Sequence, residues 1–224
     1  MSETSGTAQR LAAEVLGSAL LLAAVVGSGI MGERLADGNV GIALLANTAA
    51  TGAMLFVLIT ILGPISGGHF NPAVSAVSAL QQNMTWNLCG AYIAAQLVGA
   101  LVGVATAHAM FELPIGQLSL KERSGAAQLF SEFVATFGLI TTIILTVRYA
   151  HERVAAAVAT YIMAAYWFTA STSFANPAVT VARSVSDTFA GIRPTDAPPF
   201  ILAQLCGAGV ALFVSLWLTR EWRR

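Results

Sequence analysis

Two asparagines, Asn71 and Asn176, open the same tripeptide in corresponding halves of the chain: Asn71-Pro72-Ala73 and Asn176-Pro177-Ala178. Asparagine is a favoured helix N-cap because its side-chain oxygen accepts an N–H of the first turn, here around Ala73/Val74 or Ala178/Val179. Proline at the next position loses no hydrogen bond, and its fixed φ suits a helix start. Capping occupies the amide oxygen and leaves the NH2 group to face whatever lies beyond the helix tip. Two such groups across a gap can hold the oxygen of a passing water and turn its hydrogens outward. A proton-conducting file of waters is broken there. The positive ends of both helices also meet at the gap and repel cations. This is recognition chemistry. No nucleophile–base pair or metal cluster is visible, so neither an enzyme nor a cofactor is expected.

The elements that must present these residues are membrane elements. Of 224 residues 56% are hydrophobic and 10% charged, with a mean hydropathy of +0.73. A soluble domain carries about 25% charge. Net charge is zero and no basic tail is present, which excludes nucleic acid as a partner. The two cysteines, Cys89 and Cys206, read as buried packing thiols, and His108 and His151 offer no metal pattern.

Long apolar segments at 11–32, 41–62, 88–110, 127–147, 154–170 and 199–219 predict six spans. The first reads as a retained helix rather than a cleaved signal. Turn residues separate the spans: Gly38-Asn39, Gly63-Pro64, Pro114-Ile115-Gly116 and Pro194 through Pro199. The stretches 72–81 and 177–190, which follow the two asparagines, are too short to cross alone and suit re-entrant segments buried in protein.

The second half repeats the first. Ala95-Gln96-Leu97-Val98-Gly99-Ala100 matches Ala203-Gln204-Leu205-Cys206-Gly207-Ala208, and Glu14 is mirrored by Glu132. Three spans per half is an odd number, so the second half enters the membrane inverted. The expected fold is an all-α membrane protein: six transmembrane helices plus two re-entrant half-helices in an inverted three-helix repeat. It forms one domain over 1–224, with repeats at about 8–110 and 125–220. Gly99-x-x-x-Gly103 and Ala203-x-x-x-Gly207 supply small faces for close helix approach in lipid.

With the N-terminus in the cytoplasm, Arg10, Arg148, Arg153, Arg220, Arg223 and Arg224 fall inside, against Arg34, Lys121, Arg123, Arg183 and Arg193 outside. The positive-inside excess is slim, and the C-terminal cluster strengthens it.

These residues resemble the aquaporins of the major intrinsic protein superfamily over nearly the whole chain. Ser66-Gly67-Gly68-His69-Phe70-Asn71-Pro72-Ala73-Val74 is very similar to the family's first pore loop. The resemblance implies a ladder of pore-lining carbonyls at Gly67, Gly68 and His69, with Thr172, Ser173 and Phe174 in the second loop. It implies that Glu14 and Glu132 brace these loops, and that the protein is a tetramer with one pore per subunit. His69 lines the inner mouth or is a buried structural histidine.

One family feature is missing. The residue after the second Asn-Pro-Ala, an arginine in most relatives, is Val179 here. By resemblance the other constriction positions are Thr51, Ala164 and Ser173, a set without bulk or charge. A wide, weakly polar constriction is therefore expected, open to water and to small neutral solutes of glycerol or urea size. Arg183, four residues beyond Val179, is a candidate vestibule cation; a pair with Asp187 or a bond to loop carbonyls are the alternatives. The run Ser186-Asp187-Thr188-Phe189-Ala190-Gly191 resembles bacterial aquaglyceroporins linked to arsenic detoxification, which makes uncharged or methylated arsenicals possible solutes. An ion-coupled transporter and a water-selective channel are the competing expectations. The place expected is the inner (plasma) membrane, with both termini cytoplasmic and the lipid bilayer as surroundings.

Overall fold

The computed structural model describes residues 5–219 and is all-helical over that range. Eight α-helices follow in order: α1 Thr7–Leu35, α2 Val40–Ser66, α3 Pro72–Leu80, α4 Trp86–Met110, α5 Ala126–Tyr149, α6 Val154–Phe168, α7 Pro177–Arg183 and α8 Ala197–Leu218. Short 3-10 turns at His151–Arg153 and Pro194–Asp196 precede α6 and α8. Arg220, Arg223 and Arg224 lie outside the described residues.

Local chemistry sets the boundaries. Asn39 caps α2 by accepting from the Ile42 N–H at 3.2 Å, and Thr85 caps α4 through Leu88 at the same distance. α2 ends where Gly67 adopts φ +94 and donates its N–H to Gly63. Five of the helices are long and apolar enough to cross a membrane. The sixth expected span is α6, only 15 residues long. It stops early because the chain leaves the helix at Thr169, whose hydroxyl donates back to the Ala165 carbonyl, and continues as loop toward Asn176.

The halves pair internally: α1 lies along α4 and α5 along α8, while α2 faces α6 across the molecule. Glycine sets the depth of these pairings. A Cβ at Gly99 or Gly103 would strike the backbone of Val15 or Ala19, and one at Gly207 would strike Phe133. Gly99 and Gly207, which hold matching positions in the repeated Ala-Gln-Leu-x-Gly-Ala, therefore do the same packing in each repeat. α3 and α7 meet tip to tip between the two halves. Cys89 is buried as expected, but Cys206 sits on the exposed face of α8.

Candidate functional site: two loops and one cavity

Each asparagine caps its own short helix. Asn71 Oδ1 accepts from the Ala73 N–H at 2.9 Å; Asn176 Oδ1 accepts from Ala178 and Val179 at 3.0 and 3.2 Å. The amide nitrogens cross over. Asn71 Nδ2 donates to the Ala175 carbonyl at 2.8 Å, and Asn176 Nδ2 donates to the Phe70 carbonyl at 2.8 Å. One N–H of each NH2 group is thus spent on locking the opposite loop, and the second is left for the cavity that both residues line.

Both loops reach this geometry by the same backbone path. Gly67, Gly68 and Phe70 have φ of +94, +63 and +48; Thr172, Ser173 and Ala175 have +61, +49 and +48. Counted back from each asparagine, these are identical offsets. The first loop meets two of the three left-handed positions with glycine. The second uses side-chain-bearing residues, which costs about 1–2 kcal/mol at each such position.

That cost is met by buried carboxylates. Glu14 accepts from the N–H groups of His69 and Phe70, from the Ser66 hydroxyl and from Gln96 Nε2, all between 2.6 and 3.0 Å. Glu132 accepts from Phe174 and Ala175 at 2.9 Å and from Gln204 Nε2 at 2.6 Å. Each glutamine also reaches the hydroxyl four residues beyond its asparagine, Gln96 to Ser75 and Gln204 to Thr180. Gln96 and Gln204 were visible in the sequence as a repeated Ala-Gln-Leu, but their part in the loops was not.

A single cavity of about 400 Å³ runs past these groups. One end is lined by Asn83, Arg148 and Thr219, the middle by His69, Asn71 and Asn176, and the far end by Thr51, Tyr166, Ser173, Val179 and Arg183. His69 lines the wall while its Nδ1 hydrogen-bonds to Ser75 at 3.0 Å. Gly67, Gly68, Ser173 and Phe174 also line it; Thr172 does not, and its hydroxyl lies 3.5 Å from Arg123 Nη1 instead.

Ala164 is not in this wall. It lies on the exposed side of α6, whereas Val158, Ile162 and Tyr166 line the cavity at four-residue spacing. Two residues from Ile162 is about 200° around the helix, so Ala164 has to point away. Tyr166 takes its place, buried, with its hydroxyl 3.4 Å from that of Thr51. The end of the cavity therefore has the bulk that the sequence reading denied it.

It also has charge. α7 ends at Arg183 rather than near residue 190, because Ser184 bonds back to Val181 and the Arg183 carbonyl accepts from Ser186 and Ile192. Asp187 has left the helix and accepts from the Leu120 N–H, so no i,i+4 pair with Arg183 forms. Arg183 instead lines the cavity, 2% exposed, with Nε on the Ala190 carbonyl and its guanidinium carbon 3.4 Å from the centre of the Phe174 ring. A second guanidinium shares that ring: Arg123, from the connection between α4 and α5, lies 4.9 Å from its centre. Arg123 had been only an outer-loop charge in the sequence, with no signal tying it to a loop 48 residues away.

Comparison with known proteins decides the family. The major intrinsic protein family profile matches residues 1–152, and the chain is 56% identical over 215 residues to Aquaglyceroporin AqpS of Rhizobium meliloti, covering 96% of this chain and 92% of that one. The chain belongs to the major intrinsic protein family. This family member is also 33% identical over 148 residues to Aquaporin TIP1-2 of Zea mays, covering 62% and 57% of the two chains. Its fold is that of the aquaglyceroporin from Plasmodium falciparum: TM-score 0.75 at 20% identity, covering 96% of this chain and 98% of that one. With its apolar spans, this major intrinsic protein is an integral membrane protein.

Proposed function

We propose that this major intrinsic protein is a passive pore for water and small uncharged solutes of glycerol or urea size. The observation that carries the reading is the pair Asn71 and Asn176, both lining one cavity and each anchored to the opposite loop. Locked this way, the remaining amide N–H groups are fixed donors, and a solute oxygen passing them exchanges water for protein at little reorganisation cost. The printed name of the Rhizobium meliloti relative, an aquaglyceroporin, supports the same reading.

At the outer constriction, Thr51, Tyr166 and Val179 line the cavity, with the Thr51 and Tyr166 hydroxyls 3.4 Å apart, and Arg183 supplies a fixed charge one helical turn beyond Val179. The site is thus narrower and more polar than Thr51, Ala164, Ser173 and Val179 alone would make it. Neutral arsenic acids fall in the same size class, and the lining holds nothing that would select them over other neutral acids. We place the protein in the inner membrane with cytoplasmic termini, as a homotetramer, on the family resemblance.

An ion-coupled transporter would need carboxylates facing the cavity. Glu14 and Glu132 are outside its lining and accept hydrogen bonds from the loops. The pore reading is tested with proteoliposomes under a glycerol or urea gradient. Reswelling faster than in empty vesicles is expected, and equal reswelling would refute it.

A further inference from the structure

Arg183, the last residue of α7, lines the cavity, and two more cations come from the connection between α4 and α5: Arg123, which shares the Phe174 ring with Arg183, and Lys121, which lies over the Phe189 ring. None of them forms an ion pair among the described residues. Nearby carboxylates are committed or exposed. Asp187 accepts from Leu120, Asp196 from the Arg123 backbone and the Arg193 side chain, Glu132 from the second loop, and Glu33 faces outward.

Lys121 and Arg123 are satisfied by backbone. Lys121 Nζ donates to the Phe189 carbonyl at 2.6 Å; Arg123 donates from Nε to Gly191 at 2.8 Å and from Nη1 to Ser171 at 2.9 Å. Arg183 differs. Only its Nε has an acceptor, and its two terminal nitrogens have none among the described residues although the side chain is buried and lines the cavity.

We infer that the terminal nitrogens of Arg183 form a binding site for a small carboxylate at the outer end of the cavity, with Arg123 and Lys121 supplying the surrounding positive field. The inference rests on the cavity being a solute path. A guanidinium edge offers two parallel N–H groups that match two oxygens on one carbon. A polyol also satisfies those donors, but only an anion offsets uncompensated positive charge away from bulk water.

Formate is the probe, being the smallest molecule with that pair of oxygens. Carbon-13 formate is titrated into purified protein in detergent and followed by NMR line broadening, with chloride held constant. Broadening that saturates is expected for the unaltered chain. In Arg183→Lys, which keeps the charge and loses the fork, binding falls by about tenfold, the size of one bidentate charge-assisted contact. Lys121→Gln, on the connecting loop, weakens it by about twofold to threefold through the lost field alone, and it serves if the Arg183 variant does not fold. No saturable broadening in the unaltered chain, or unchanged binding in both variants, overturns the site. The two readings separate cleanly: vesicles that conduct glycerol while formate does not bind defeat only this site, whereas failure to conduct glycerol defeats the pore.

Discussion

The guanidinium carbon of Arg183 lies 3.4 Å from the centre of the Phe174 ring, the ring two residues before Asn176. The second pore loop and the end of its half-helix therefore fold onto each other. Arg183, the last residue of α7, lies one helical turn beyond Val179, and both line the cavity. Val179→Arg adds a second guanidinium beside the first and narrows the constriction from within. Glycerol flux in proteoliposomes is expected to fall several-fold more than water flux. Equal losses would place residue 179 away from the narrowest point.

Tyr166 lines the cavity, whereas Ala164 lies on the exposed side of α6. Tyr166→Ala removes a ring from the cavity wall and is expected to raise glycerol flux relative to water flux. Ala164→Leu, on the exposed face, leaves both unchanged. The comparison is a single reswelling assay on two variants, and a change in selectivity at 164 without one at 166 would reverse the assignment.

Much of this architecture could be read directly from residue types. The Asn-Pro-Ala pair, the mirrored Glu14 and Glu132 and the apolar runs are local signals: both asparagines cap short helices, both glutamates accept from the loops, and five of the six runs are helices long enough to span, α6 being shorter. Tyr166 was hidden because counting residues along a chain carries no helical phase. Ala164 and Tyr166 differ by two residues, yet they face opposite sides. The end of α7 was hidden too, since no glycine or proline stops the chain over residues 184–190, while hydrogen bonds from Ser186 and Ile192 turn it back on the Arg183 carbonyl. Arg123 was hidden for a third reason. Its partners Ser171 and Gly191 lie 48 and 68 residues away, and a connection without periodicity gives no hint of them.

Glu132 accepts two backbone N–H groups from a loop held in left-handed backbone. Glu132→Gln presents an NH2 group to one of these donors and orphans it, at about 1–3 kcal/mol. A lower thermal midpoint in detergent and lower flux per molecule are expected. A variant as stable as the parent would mean that the carboxylate is not what holds the second loop.

Lys121 belongs to this field and loses its charge close to neutrality. Burial, then Arg123 and Arg183, hold its pKa down to about 8, against the opposing pull of Glu33. Below that pH the amine is charged, and above it the charge is lost, so the positive field at the outer end weakens between pH 7 and 9. Formate binding is expected to fall over that interval, and the fall is expected to vanish in Lys121→Gln. A pH dependence that survives the substitution would assign it to another group.

The most direct test of the whole account is the initial rate of urea entry into proteoliposomes as the urea gradient is raised, with and without an imposed proton gradient. A passive pore gives a rate that climbs in proportion to the urea gradient and ignores the proton gradient. A rate that saturates, or that requires the proton gradient, would contradict the account and turn attention to carrier-type transport.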